Sequence, residues 1–312
     1  MVTDPTAAAA SAQTVGSGPD AAARTGPIAV VVLSHRAPDQ VARLASRLQD
    51  GSDVVVAIHH DPNGEPLRLP ASSSVALVPD PVPCPWGRPG ILIAIRKSLE
   101  WVRANVPEFS WALVISGQDY PIRTMGSIQA ELAVTSSDAF LRYVRVDGDP
   151  AEDVLRWQAT TRRRYLYKRR LPRSVHSVVL PWPRRHPFHD GFRLYAGEQW
   201  VNLSAPAVHK LLDSPLNGPV LRYLRRSPNA DEAWIGTVIL NGEPELEVVN
   251  DRRRYIRWPG GGVFHPAALE PADLPKLQES NAFFARKVDP AAWPEVCDAL
   301  DDLAQTRELR PA

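Results

Sequence analysis

Cysteine is nearly absent. Only Cys84 and Cys297 occur in 312 residues, which excludes a disulfide framework, and neither lies in a CxxC pair that would suggest a thiolate metal site. A reduced, cytoplasmic setting is the default expectation, with one bridge between the two cysteines left open. No stretch approaches the ~20 consecutive apolar residues of a membrane-spanning helix, so no membrane span is expected. A net charge of +1 gives no global pull toward nucleic acid or an anionic membrane. Phosphate-binding glycine loops are missing too. Neither GxGxxG nor GxxxxGKS/T follows the first strand, which argues against a Rossmann dinucleotide site and a P-loop. HExxH and HxH are absent, so zinc is not expected.

What the chain does have is a βα rhythm. Residues 1–26 are small, polar and aperiodic. They lack the basic and long apolar parts of a secretory signal and predict a disordered tail. Residues 307–312 predict a frayed end, and residues 27–306 one α/β domain. Ile28–Leu33 is a continuous β-branched run, the mark of a strand buried on both faces. Val41, Leu44, Ala45 and Leu48 fall at helical spacing. Further strands are predicted over Val54–Ile58, Val75–Val78, Trp111–Ile115 and Phe140–Val144, with a helix over Ile91–Val102. This alternation predicts an open, mostly parallel sheet flanked by helices. Ligands of such sheets gather beyond the carboxyl ends of the strands. Polar clusters stand at those ends: Ser34-His35-Arg36, His59-His60-Asp61 and Ser116 to Tyr120. Residues 156–190, dense in arginine and proline, predict a basic loop over the site.

Two carboxylates open the apolar run SPNADEAWIGTVILNG. One reading is capping: Asn229 as N-cap, Glu232 completing a capping box, Asn241-Gly242 as the stop. The other makes one acid a general base facing a cleft. Asp61 likewise carries two readings, a turn residue in HHDPNGE or a partner for a ribose hydroxyl or a uracil N–H. Asp147-Gly148-Asp149 fits the Asp-x-Asp pattern of metal-dependent transferases and also ordinary turn chemistry.

Seven segments, in order, resemble the core-2/I-branching β-1,6-N-acetylglucosaminyltransferases, the family that includes the peptide O-xylosyltransferases. They are VVVLSHR, AIHHD, PWGRPGILIAIRKSLEW, SWALVISGQDYPIRT, AGEQWVNLS, PNADEAWIGTVILN and FFARKVD. The most specific is SGQDYP, which matches the family's S-G-x-D-Y/F-P loop. The resemblance runs over about residues 28–290 and implies a GT-A-like, Rossmann-related fold. It implies inverting transfer of a sugar, GlcNAc or xylose, from a UDP donor to a hydroxyl of a glycan, peptide or small molecule, with no metal and no other cofactor. Glu232 matches the family base, leaving Asp231 as a cap or an orienting group. A helix N-terminus lowers a carboxylate pKa, so burial must offset that for a base to work. Lys287 matches the lysine that replaces a metal at the diphosphate. The second cation is less fixed: Arg257 is the main candidate, with Arg254 and His265 behind it. The remaining donor candidates are Ser34, His35, Asp61, Trp86, Gly117 and Asp119; the acceptor candidates are Trp200, Gln199 and Asp231. Glu198 departs from the family's serine. A reading from another class is a non-catalytic carbohydrate- or polyanion-binding protein on a degenerate transferase fold. The basic block Arg156–Ser174 and nine tryptophans suit it.

Overall fold

Alternate residues of the first strand, β1 (Ile28–Ser34), are buried in two different cores. Ile28, Val30 and Val32 pack with Val41 and Leu44 of helix α1 (Pro38–Arg47). Ala29 and Val31 pack with Leu92, Ile95 and Leu99 of α2 (Gly90–Asn105) on the other face. A two-sided strand needs apolar residues at every position, hence the continuous run. Truncating Leu44 to alanine in so closed a layer costs about 2–5 kcal/mol. The computed structural model describes residues 24–50, 53–69, 72–85, 88–146, 163–167, 177–183, 191–225, 227, 230–259 and 265–308.

β1 pairs in parallel with β2 (Val54–His60) and with β4 (Trp111–Ser116), and β2 with β3 (Val75–Leu77). The register sets Ser34 opposite His60 and Leu33 opposite Ser116, so three strands end together on one rim. The GT-A-like α/β reading holds: a seven-stranded, mostly parallel sheet is flanked by helices. A second sheet joins β5 (Asp119–Pro121), β13 (Arg254–Ile256) and β14 (Phe284–Arg286). Among the described residues, no helix is long and apolar enough to cross a membrane.

Some elements differ from expectation. Phe140–Val144 is not one strand. β6 (Ala139–Phe140) stays in the large sheet, while β7 (Tyr143–Arg145) swings out to pair antiparallel with β10 (Tyr195–Gly197). The break sits where Gly197 passes Arg142; a Cβ at Gly197 would lie 1.8 Å from the Arg142 carbonyl oxygen, so only glycine fits there. β11 (Asn202–Ser204) inserts antiparallel between β4 and β6. Inside the 156–190 segment expected as loop, β8 (Arg163–Tyr167) and β9 (Ser177–Pro183) pair antiparallel, in keeping with their β-branched and aromatic content. Arg24, inside the expected tail, is tied down by an ion pair to Asp138 at 2.7 Å. At the other end, α8 (Pro294–Glu308) runs past Thr306.

Three helices follow β11: α4 (Ala205–Asp213), α5 (Asn217–Leu224) and α6 (Ala230–Ile239). α6 packs against α2, α4, α5 and β10 and is apolar nearly all round, as a core helix must be. Within it only Glu232 is not buried. Trp234 Nε1 donates to Asn217 Oδ1 at 2.8 Å, and Thr237 Oγ1 donates to the Tyr195 carbonyl at 3.0 Å. Asn241 and Gly242, the latter at φ +70°, stop the helix as expected.

Candidate active site

The rim where β1, β2 and β4 end is stitched mainly by its own polar groups. Ser34 Oγ donates to His60 Nδ1 at 2.9 Å, because His60 Nε2 must carry its proton toward the Glu65 carbonyl at 2.5 Å. His59 is buried, and its Nε2 accepts from the Val82 amide at 3.0 Å. Burial lowers its pKa, so it remains a neutral strut. His35 is exposed on the rim, and its pKa is lowered by partial desolvation and then by Arg36. Asp61 takes the turn reading: Oδ1 accepts from the Asn63 amide at 2.8 Å and Oδ2 from the Cys84 amide at 2.7 Å. Its carboxylate thereby pins the Cys84 segment against the end of β2.

The SGQD loop is similarly occupied. Gly117 is there for close approach: its amide donates to Leu33 at 2.8 Å, and a Cβ would meet Val41 at 3.0 Å and Ser34 at 3.2 Å. Asp119 has no exposed surface. One carboxylate oxygen accepts from the Ser116 amide at 2.5 Å, and the other lies 3.5 Å from Arg286 Nε. Asp119 therefore shapes the SGQD loop from within.

The cations divide into two groups. Arg254 is buried and donates to the carbonyls of Arg252 at 2.7 Å and Val114 at 2.7 Å. Burial lowers its pKa to about 10, opposed by Asp119, which still leaves it charged at neutral pH. Arg257 is held by Glu270 at 2.7 Å, Asp273 at 3.3 Å and the Ala268 carbonyl at 2.9 Å. Both arginines thus have acceptors within the protein: Arg254 is enclosed, and Arg257 is half-buried. Arg286 is buried against Asp119, with its guanidinium 4.5 Å from the centre of the Trp200 ring. Lys287 differs. It is half-buried and forms no ion pair among the described residues. Its pKa is lowered by burial, then by Arg286 and Arg36, with Asp119 opposing. That mutual effect puts Lys287 and the exposed Arg36, two residues past β1, within charge range of each other. Cations crowded in this way make a ready anion site. Arg36 belongs to the Ser34-His35-Arg36 cluster that the strand-end rule marks, but it is not among the donor candidates read from the sequence.

The acid pair also divides. Asp231 is 6% exposed, and burial raises its pKa to about 6 against the lowering effect of a backbone hydrogen bond. Glu232 is half-buried at the head of α6. The fold brings this head to the rim: the Cys84 thiol, pushed up to about 12 by burial, also feels Asp61 and Asp231. Cys84 therefore links the end of β2 to the start of α6, and its protonated thiol is no nucleophile. Trp200 is half-buried beneath Arg286, which covers one ring face, and Gln199 is half-buried beside it. Glu198, in the place of the family serine, pairs with Arg252. His265 is exposed at the start of its segment. Trp86, Asn229, Asp147 and Asp149 lie outside the described residues, as does the capping box that needs Asn229.

The model of the Core-2/I-Branching enzyme family matches residues 40–278, a span that contains Asp61 and Glu232 and stops short of Lys287. The chain is similar to two curated proteins of Arabidopsis thaliana. Beta-glucuronosyltransferase GlcAT14A is 27% identical over 225 residues, which is 67% of this chain and 44% of the relative. Beta-glucuronosyltransferase GlcAT14B is 26% identical over 200 residues, 62% of this chain and 42% of the relative. The chain spans less than half the length of these relatives.

Proposed function

The chain belongs to the core-2/I-branching enzyme family, and we propose that it is an inverting glycosyltransferase using a UDP-sugar donor and an acceptor hydroxyl. In this reading Glu232 takes the acceptor proton while the acceptor oxygen bonds to the anomeric carbon. The anomeric carbon–phosphate oxygen bond breaks, and its electron pair leaves on the diphosphate. Lys287 and Arg36 neutralise that charge. The observation that carries the reading is the parting of the acids and cations at the rim: Glu232, with Oε2 shut away, and Lys287 are only half-buried while Asp231, Arg254 and Arg286 are enclosed. The relatives' names speak of glucuronate, so UDP-glucuronate joins UDP-GlcNAc and UDP-xylose as a donor to be tried. The acceptor is a hydroxyl of a glycan, peptide or small molecule.

The test is UDP release from these three donors with and without EDTA, together with the thermal shift each donor produces. The reading expects one donor to raise the melting temperature and to turn over in EDTA. Among the described residues no three His, Cys, Asp or Glu side chains gather to hold a metal; loss of activity in EDTA would move the diphosphate from Lys287 and Arg36 to a metal. Binding of a donor without turnover under any condition would favour the non-catalytic carbohydrate-binding alternative.

A second reading has its own observation. Asp231, with a pKa of about 6, is better tuned for proton abstraction near neutrality than an ordinary carboxylate. Its burial favours Glu232 instead, and comparing Asp231→Asn with Glu232→Gln separates the two.

A further inference from the structure

α2 and α5 leave a cavity of about 380 Å³ between them, within the ~300–1,000 Å³ of small-molecule sites. Its floor is apolar: Pro89, Leu92 and Leu221, with Ile93 lying 43% exposed along one wall. A side chain as large as isoleucine left open in a concave site, not on a convex surface, marks a binding surface rather than random exposure. The rim of this cavity is cationic. Arg96 is neutralised by Glu100 at 2.9 Å on the same helix. Lys97 gives one N–H to the Asp80 carbonyl at 2.6 Å and forms no ion pair among the described residues. Arg225, exposed on the α5 side, forms no ion pair among the described residues. The cavity therefore offers an apolar bed with two uncompensated positive charges on its edge.

We propose that this groove binds a single-chain anionic amphiphile, its tail over Leu92, Ile93 and Leu221 and its phosphate or carboxylate between Lys97 and Arg225. The charge complement selects the class. An uncharged apolar ligand leaves both cations partly desolvated with no anion to meet them, and a small inorganic anion leaves Ile93 in water. Neither Glu232 nor Lys287 lines the groove, and the proposal does not depend on the transferase reading. Its Pro89 end adjoins Gly90, which packs against Pro83 and Cys84, so the groove touches the segment that Asp61 pins.

The experiment is calorimetric titration of the full chain with dodecyl phosphate below its micelle concentration, with dodecyl maltoside and inorganic phosphate as neutral and tail-less probes. One saturable dodecyl phosphate site is expected, at least about tenfold tighter than either control. Ile93→Glu should abolish it and Arg225→Glu weaken it about tenfold, both with an unchanged melting temperature because both side chains are exposed. Equal binding by wild type and both variants overturns the proposal, and so does equal affinity for the maltoside. Sedimentation gives the last arm: a wild-type dimer that Ile93→Glu dissociates, with no alkyl phosphate bound, assigns the groove to a second copy of the chain and also overturns it.

Discussion

Two pairs of sequence neighbours, Asp231-Glu232 and Arg286-Lys287, show the same division. Asp231 and Arg286 are each 6% exposed, whereas Glu232 and Lys287 are half-buried. Successive residues on a helix differ by ~100° in direction, and Lys287 lies one residue past the end of β14, so neither pair is held in one direction. The enclosed member of each pair acts on the protein: Arg286 meets Asp119 and lies over Trp200. The half-buried member is the one the proposed mechanism uses. The pairs teach that a charged doublet in a sequence marks a site without saying which residue serves it.

The sharpest way to break that comparison is Glu232→Gln. Loss of a general base costs about 10²–10⁴-fold in rate, so transfer should fall by that factor while the UDP affinity stays at wild type. Retained transfer would end the assignment. Next comes Arg286→Met, which leaves Asp119 buried without its ion pair and should cost about 3 kcal/mol of stability in urea. If stability holds and donor affinity falls instead, Arg286 belongs with the reachable cations and the comparison fails.

Asp231→Asn sharpens the other enclosed member. An acid whose pKa is about 6 when folded against 3.8 ordinarily holds its proton more tightly in the folded state. Stability therefore falls as pH rises from about 4 to about 6 and is level beyond. Asparagine copies the protonated form and removes that penalty. The variant should gain up to ~2–3 kcal/mol at pH 7 and nothing at pH 4, read from melting temperatures at the two values. A loss at both would mean that the carboxylate is held by partners as an anion.

The sheet was legible wherever burial leaves a local mark. β1, β2 and β4 are runs that only a two-sided strand needs, and they lie where the sequence put them. β6 and β7 read as one strand because what separates them is their pairing with β11 and β10, residues far apart in sequence, and the close pass of Gly197 at Arg142. Glu232 and Lys287 are singled out by resemblance to a family alone, since nothing in their spacing distinguishes them from Asp231 and Arg286. The surroundings of Arg254 and Arg257 are not legible in the sequence for a definable reason. An arginine-rich strand looks the same in sequence whether its guanidiniums meet solvent or carbonyls and acids. Asp61 and Asp119 were placed correctly at strand ends, but which way a carboxylate turns is settled by amides such as those of Cys84 and Ser116.

The smallest expected effect belongs to Lys287→Ala. A reachable cation contributes to an anion's binding and little to the fold, so UDP affinity should fall about tenfold, or ~1.4 kcal/mol. The melting temperature should move by less than the equivalent of ~0.5 kcal/mol, as for surface changes generally. Calorimetric titration with UDP at two salt concentrations checks the physical cause. Attraction between exposed charges is screened by salt, so removing Lys287 should flatten the dependence of UDP affinity on ionic strength, and Arg36→Ala should flatten it in the same direction. A tenfold loss with an unchanged salt slope would mean that Lys287 acts through packing rather than charge. The diphosphate would then need another cation, and the division between enclosed and reachable residues would no longer identify the one that holds it.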